Sequence, residues 1–94
     1  MSRTVSWVRK PAEAAKAYRC PCCSFKTLFG RGEDEICPVC FWEDDGQDEP
    51  DADIALGGPN GTLSLTQARS NFQRLGAVEE RFMANVRPPM ADEI

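Results

Sequence analysis

The sequence carries one four-residue motif twice. Cysteine, proline, a third residue and cysteine occur at residues 20–23, the first cysteine turn, and again at residues 37–40, the second cysteine turn, with 13 residues between them. A two-residue spacing brings both sulfurs of a turn to one point, and the proline sets φ for that turn. Two such turns facing each other form a tetrahedral cage of four sulfurs, which is typical of structural zinc. The pattern therefore predicts one metal site with the ligands Cys20, Cys23, Cys37 and Cys40.

Four thiolate ligands leave no open coordination position, so the predicted metal is structural and not catalytic. We expect one Zn²⁺ ion. Iron stays open as an alternative because spacing alone does not distinguish the two metals, and so does the packing of the cysteines as reduced, buried thiols. The chain needs such a metal, since only 18 of its 94 residues are Val, Ile, Leu or Phe. Structural zinc contributes about 10–16 kcal/mol, which would offset so small a core.

The chain contains five cysteines and no histidine. The missing histidine excludes Ser-His-Asp and Cys-His catalytic groups, histidine–metal catalytic centres and Cys₂His₂ fingers. We find no catalytic constellation and expect a protein that is not an enzyme. Because charges, proline or glycine interrupt every apolar stretch, we expect no signal peptide, no membrane association and a cytoplasmic location. Thiols stay reduced in that compartment, which favours metal binding over disulfides.

The fifth cysteine, Cys22, lies between the two ligands of the first cysteine turn. We expect its side chain to point away from the metal. It is an alternative ligand in place of Cys23, a redox-sensitive thiol activated by Arg19 and Lys26, or a small residue without a chemical role. The sequence leaves these three interpretations open.

The chain divides into an N-terminal extension, residues 1–17, which we expect to be partly flexible, and a cysteine-rich domain, residues 18–90. Apolar and polar residues alternate over 25–29, and Phe41 and Trp42 favour strands. These patterns predict two short β-hairpins around the Cys₄ site, which is a zinc ribbon, followed by one or two C-terminal helices. The expected fold class is thus a small, metal-stapled α+β domain.

The start of a helix is marked by Ser64 with Gln67 three residues later, which is the capping-box pattern. Apolar residues then recur at helical spacing until Gly76, which predicts a helix over 65–75. A shorter helix is expected over about 78–84. We expect the helices to pack their apolar faces on aromatic residues near the metal. The expected contacts join Leu65, Phe72, Leu75 and Phe82 with Phe29, Phe41 and Trp42.

The acidic run, residues 43–53, contains seven carboxylates and no basic residue. It does not fit a calcium-binding EF-hand loop, because counting from Asp45 puts Pro50 at the sixth position and Leu56 at the twelfth. A solvated loop is the ordinary interpretation, and a docking surface for a basic protein is the alternative. The candidate partner-binding residues are Trp42, Glu43, Asp44 and Asp45.

Basic residues lie entirely outside the acidic run. Outside residues 33–53, eleven lysines and arginines face five carboxylates. Zinc ribbons can bind nucleic acid through basic surfaces with exposed aromatic residues. A pI near 4.7 is nevertheless far from that of a dedicated nucleic-acid binder, so we expect solvated, ion-paired bases and do not favour nucleic-acid binding.

The cysteine-bearing segments resemble a bacterial family of cysteine-rich CPCC domain proteins. The resemblance spans about residues 18–89, and its most specific part is the run Ile-Cys-Pro-Val-Cys-Phe-Trp-Glu-Asp-Asp-Gly at 36–46. It implies a small zinc-ribbon-like fold with a bound metal and implies no activity. The family usually carries glycine after its first cysteine cluster, where this chain has Ser24. The matching segments are 18–23, 27–28, 35–46, 57–60, 64–72, 76–77 and 86–88.

Together these observations predict a non-enzymatic, zinc-binding domain that acts as a protein-interaction module, with an unidentified protein partner. Two other functions stay open. One is a thiol-based redox sensor that uses Cys22, and the other is a nucleic-acid-binding zinc ribbon.

Overall fold

A computed structural model describes residues 16–94 of the chain, so the predicted N-terminal extension lies almost wholly outside the described residues. One α-helix, α1 (Leu65–Leu75), is accompanied by short 3₁₀ helices. The 3₁₀ helices span Glu49–Asp51, Gly58–Asn60, Glu80–Asn85 and Ala91–Glu93. Within the described part of the chain, no helix is both long enough and apolar enough to cross a membrane.

Isolated antiparallel bridges stand where the sequence predicts β-hairpins. Tyr18 pairs with Leu28, and Ile36 pairs with Glu43 across the second cysteine turn. Neither pair extends into a strand in the described residues, and the two-hairpin zinc ribbon is therefore not confirmed. Backbone with positive φ limits the pairing, because Gly32 at φ 71° and Asp34 at φ 60° turn the chain away from the extended conformation just before Ile36.

Helix α1 begins and ends where the sequence predicts. The Ser64 hydroxyl accepts a hydrogen bond from the Gln67 amide at 3.1 Å, which caps the first turn. Gly76 adopts φ 79° and donates its amide to the Phe72 carbonyl at 2.9 Å, which ends the helix in a left-handed cap. The prediction of a helix over 65–75 is confirmed.

The second predicted helix is shorter and wound differently. Residues Glu80–Asn85 form a 3₁₀ helix in place of an α-helix over about 78–84. Its later start has a direct cause, because the Val78 amide donates to the Cys40 carbonyl at 2.9 Å and ties this residue to the second cysteine turn. Val78 is buried there and does not begin a helix.

The core lies between the cysteines and α1. Trp42, Leu28 and Leu65 are fully buried, and Phe41, Phe72 and Phe82 pack at its margin. Phe29 does not join this core, contrary to our prediction, since 55% of it is exposed. Successive side chains of an extended segment point to opposite sides, and Leu28 takes the inward position next to it.

The C-terminal residues close the domain through a buried carboxylate. Glu93 accepts a bidentate pair from Arg87 at 2.8 and 2.9 Å, the Met90 amide at 2.9 Å and the Lys16 ammonium at 3.3 Å. Its carbonyl also accepts the Lys26 amide at 2.7 Å. Glu93, which lies beyond the boundary that we predicted at residue 90, thus joins the C-terminal tail to the beginning of the described chain.

We expect Glu93→Gln to lower the free energy of unfolding by about 2–3 kcal/mol at pH 7. The Arg87 guanidinium is the main cause that lowers the pKa of Glu93 to about 2. A pKa below the ordinary value of 4.5 means that the ionised carboxylate stabilises the domain at neutral pH, and this contribution is lost progressively as the pH falls from about 4.5 to about 2. Urea titration at a fixed excess of metal measures the difference, and Asp92→Asn, an exposed neighbour, is the matched control. Equal stability of the two variants would contradict the role of Glu93.

Candidate metal centre

Four cysteine sulfurs converge beneath the two turns. The Sγ atoms of Cys20, Cys23, Cys37 and Cys40 all lie within 4.8 Å of one another. Those of Cys20 and Cys40 are 3.6 Å apart, and those of Cys23 and Cys37 are 3.7 Å apart. A disulfide needs an S–S distance of about 2.05 Å, and all of these cysteines are free. The structure thus brings together the four residues that the sequence predicts as ligands.

The spacing of the sulfurs fits a tetrahedral metal ion. Zinc–sulfur bonds of about 2.3 Å in a tetrahedron place the sulfurs about 3.8 Å apart. The two short distances in the cluster, 3.6 and 3.7 Å, are close to this value. Cys20, Cys37 and Cys40 are buried and Cys23 is partly exposed, so the site is shielded on most sides. The donor set therefore fits one ion held by four thiolates.

Each pair of ligands is held by the same backbone pattern. In the first cysteine turn the Ser24 amide donates to the Cys20 carbonyl at 2.8 Å, and in the second the Phe41 amide donates to the Cys37 carbonyl at 2.8 Å. Ser24 and Phe41 both take left-handed backbone, with φ of 72° and 74°. Glycine adopts such φ values without strain, which explains why a glycine suits the position of Ser24.

The sulfurs of the second cysteine turn accept hydrogen bonds from neighbouring residues. The Thr27 Oγ1 lies 3.0 Å from the Cys37 Sγ, which also accepts the Val39 amide at 3.4 Å. The Trp42 amide donates to the Cys40 Sγ at 3.4 Å. Such donors stabilise the negative charge of metal-bound thiolates and orient them toward the metal.

Neighbouring sulfurs shift the pKa values of the clustered thiols in opposite directions. Hydrogen bonding with Cys20, Cys23 and Cys40 lowers the pKa of Cys37. Hydrogen bonding with Cys20, then with Cys22, raises the pKa of Cys40, and burial adds to this effect. Because the thiols titrate as a coupled set, a metal ion displaces the remaining protons on binding, and its affinity falls as the pH is lowered.

We expect Thr27→Val to weaken metal binding by about tenfold, since the change keeps the shape of the side chain and removes the donor to Cys37. Thr27 is itself buried, so water cannot replace the lost hydroxyl. Competition with a chromophoric chelator measures the dissociation constant. Thr62→Val is the matched control, because Thr62 is exposed. Identical affinities for the two variants would show that the Thr27 hydroxyl does not act on the site.

The C-terminal segment braces both cysteine turns from outside. The Arg69 Nε on α1 donates to the Pro21 carbonyl at 2.9 Å. The Arg87 amide donates to the Pro38 carbonyl at 3.1 Å. With the bond from Val78 to Cys40, these contacts use three carbonyls that the turns leave unpaired, so the helix and the tail are tied to both turns.

Cys22 is not part of the four-sulfur cluster among residues 16–94. Its side chain packs in the apolar core and is 7% exposed. The first cysteine turn therefore supplies Cys20 and Cys23 to the cluster.

Two of the four candidate partner-binding residues are inside the protein. Trp42 and Asp44 are fully buried, which corrects their assignment as surface contacts, whereas Glu43 and Asp45 are partly exposed. Trp42 fills the core beneath the cysteines. The Asp44 carboxylate accepts the Arg31 Nε at 2.8 Å and is thus used internally.

Arg31 is the structural residue that our sequence analysis missed. Its guanidinium donates to the Asp44 and Asp48 carboxylates, each at 2.8 Å, and to the Gln47 carbonyl at 2.9 Å. The acidic run is therefore partly neutralised and is not the freely solvated loop that its composition suggests. The signal was a single base between two glycines, Gly30 and Gly32, which lets the turn place that base against acids elsewhere in the chain.

Comparison with known proteins identifies one family. The family model described as Cysteine-rich CPCC matches residues 18–93, which is most of the chain and nearly all of the described part. The match includes the four clustered cysteines and extends to Glu93. No curated protein and no solved structure matches the chain.

Proposed function

This chain belongs to the cysteine-rich CPCC family, and from that premise we propose that it is a small domain, held together by one structural Zn²⁺ ion, that acts as a non-enzymatic protein-interaction module. The observation that carries the proposal is the closed cluster of Cys20, Cys23, Cys37 and Cys40. Four thiolates occupy every position of a tetrahedral ion, so neither a water nor a substrate reaches the metal. The coordination of the site thus indicates that the metal stabilises the fold and does not take part in catalysis.

Zinc is the metal that this donor set favours, because a closed tetrahedral site of four thiolates is typical of structural zinc. Native mass spectrometry of the full chain, purified from a host grown without added metal, tests the assignment. We expect one zinc ion per chain, and none in Cys37→Ser. A chain that carries iron, or that carries no metal, would contradict the proposal.

Several large apolar side chains remain at the surface, which supports a role in binding other proteins. The exposed ones include Tyr18, Phe29, Ile36, Ile54, Leu56, Met83, Met90 and Ile94. Aromatic residues and methionine are enriched at the centres of protein interfaces, so Tyr18, Phe29, Met83 and Met90 are the exposed residues that best fit a protein partner.

Most of the arginines that the structure describes are engaged with carboxylates of the chain. Arg31, Arg69, Arg81 and Arg87 each form an ion pair with a carboxylate of the chain. Phosphate contacts need bases that are free to displace counterions. The paired arginines therefore favour the expectation of ion-paired bases, and we do not propose a nucleic-acid partner.

A redox function through Cys22 has little support, because oxidants react with accessible thiolates and Cys22 is 7% exposed.

We propose that the protein works in the cytoplasm, where reduced thiols remain available to the metal. All five cysteines are free in the structure.

A further inference from the structure

A small cleft opens beside the second cysteine turn, away from the metal. Its volume is about 40 Å³. Six apolar residues line it, and we call them its floor: Ile36, Phe41, Pro59, Leu63, Val78 and Phe82. Asn60 and three charged side chains complete the lining, and we call the charged ones, Glu43, Glu79 and Arg81, its rim.

The floor of the cleft is held in place by neighbouring contacts. The Phe41 ring packs on Phe82 with 4.6 Å between the ring centroids, although Phe41 stands at a φ of 74° where glycine would be unstrained. The Asn60 side chain bonds both backbone groups of Glu43, at 2.7 and 3.3 Å. Contacts within the chain thus hold the lining in position, which reduces the ordering cost of binding.

The size of the cleft selects the side chain that it can hold. A volume of about 40 Å³ corresponds to about three or four water-sized spheres. The branched end of an aliphatic side chain has this size, whereas an aromatic ring is larger. Ile36 is 45% exposed at the edge and extends the apolar surface beyond the cavity.

The charge at the rim selects the residues that flank this side chain in the partner protein. Among residues 16–94, no lysine or arginine forms an ion pair with Glu43. Asp45 adds a further carboxylate nearby, since its Oδ2 lies 3.4 Å from the Asn60 amide. Arg81 is already paired with Glu79 at 2.8 Å. The rim therefore has excess negative charge and complements a cation.

We propose that this cleft docks a partner protein through one aliphatic side chain flanked by lysine or arginine. This inference rests on the proposed interaction function and names its site and the chemistry of its partner. The aliphatic group fills the apolar floor, and a neighbouring cation approaches Glu43 from solvent.

The probe is a synthetic peptide, Gly-Ser-Lys-Leu-Lys-Ser-Gly, titrated into the zinc-loaded full chain and followed by amide chemical shifts. We expect the largest shifts at Ile36, Phe41 and Phe82. Replacing leucine by tryptophan, or both lysines by glutamate, is expected to abolish them. Glu43→Gln is expected to weaken binding about threefold at low salt, and Glu33→Gln, an exposed carboxylate that does not line the cleft, is expected to leave it unchanged.

Shifts that are absent up to roughly 10 mM peptide, or equal for the lysine and glutamate peptides, would overturn the assignment of the cleft. Shifts at the cleft that grow with protein concentration alone would also overturn it, because a second copy would then be the occupant. Site-directed photo-crosslinking in the host separates this outcome from failure of the proposed function. Crosslinks to another protein from a different face would reject the cleft only, whereas crosslinks from no face would reject the interaction function too.

Discussion

Removal of the metal with a strong chelator is expected to abolish the cooperative thermal transition of the domain. The buried apolar residues form one cluster that includes three of the metal ligands, Cys20, Cys37 and Cys40, so the ion would lie within the core itself. Structural zinc contributes about 10–16 kcal/mol, and a domain is usually stable by about 5–15 kcal/mol in total. The free energy lost with the ion therefore exceeds the free energy of unfolding that the remaining contacts provide.

Circular dichroism at rising temperature, recorded before and after chelation, measures this effect. Readdition of zinc alone is expected to restore the transition. Cys37→Ser is expected to behave as the chelated protein, whereas Cys22→Ala should keep the metal and melt cooperatively, since Cys22 lies outside the four-sulfur cluster. An unchanged transition after complete removal of the metal would show that the fold does not depend on it.

The metal ligands and α1 were predictable because both depend on local sequence. Two residues between cysteines are enough to bring their sulfurs together, and the start of α1 is set by Ser64 within a single turn. The end at Gly76 follows from its backbone freedom alone. No knowledge of distant segments was required for either feature.

Contacts between distant segments could not be predicted in the same way. Glu93 bonds Lys16 and Lys26 from the opposite end of the described chain, and no local pattern marks that pairing. The same holds for Trp42, whose position beside acidic residues suggested a surface contact, although the core needs its large ring below the cysteines. Burial of these side chains follows from how the two cysteine turns and α1 meet.

The absence of strands among the described residues has a further physical cause. Residues near the cysteines have strand propensity, but their amides serve the metal site, since those of Val39 and Trp42 donate to ligand sulfurs. An amide that donates to a sulfur cannot also extend a ladder of strand hydrogen bonds. At the second cysteine turn the expected hairpin is thus reduced to the single bridge between Ile36 and Glu43.

Asp44 holds the acidic run onto the rest of the domain. It is fully buried, and its carboxylate accepts hydrogen bonds from the Arg31 Nε and the Gly32 amide, each at 2.8 Å, and from the Gly46 amide at 3.2 Å. The contact with Asp44 is the main cause that raises the pKa of Arg31. A buried carboxylate with this many donors is costly to remove, because each donor loses its partner.

Asp44→Ala is therefore expected to lower the free energy of unfolding by about 3 kcal/mol, the lower end of the range for breaking a buried ion pair. The lower end applies because Arg31 is partly exposed and keeps its bond to Asp48 at 2.8 Å. Guanidinium titration at a fixed excess of zinc measures the change. Asp34→Asn, at an exposed carboxylate, should change stability little, since asparagine tolerates the φ of 60° at this position. If Asp44→Ala were as stable as Asp34→Asn, the carboxylate would have to act at the surface, as its place in the acidic run first suggested.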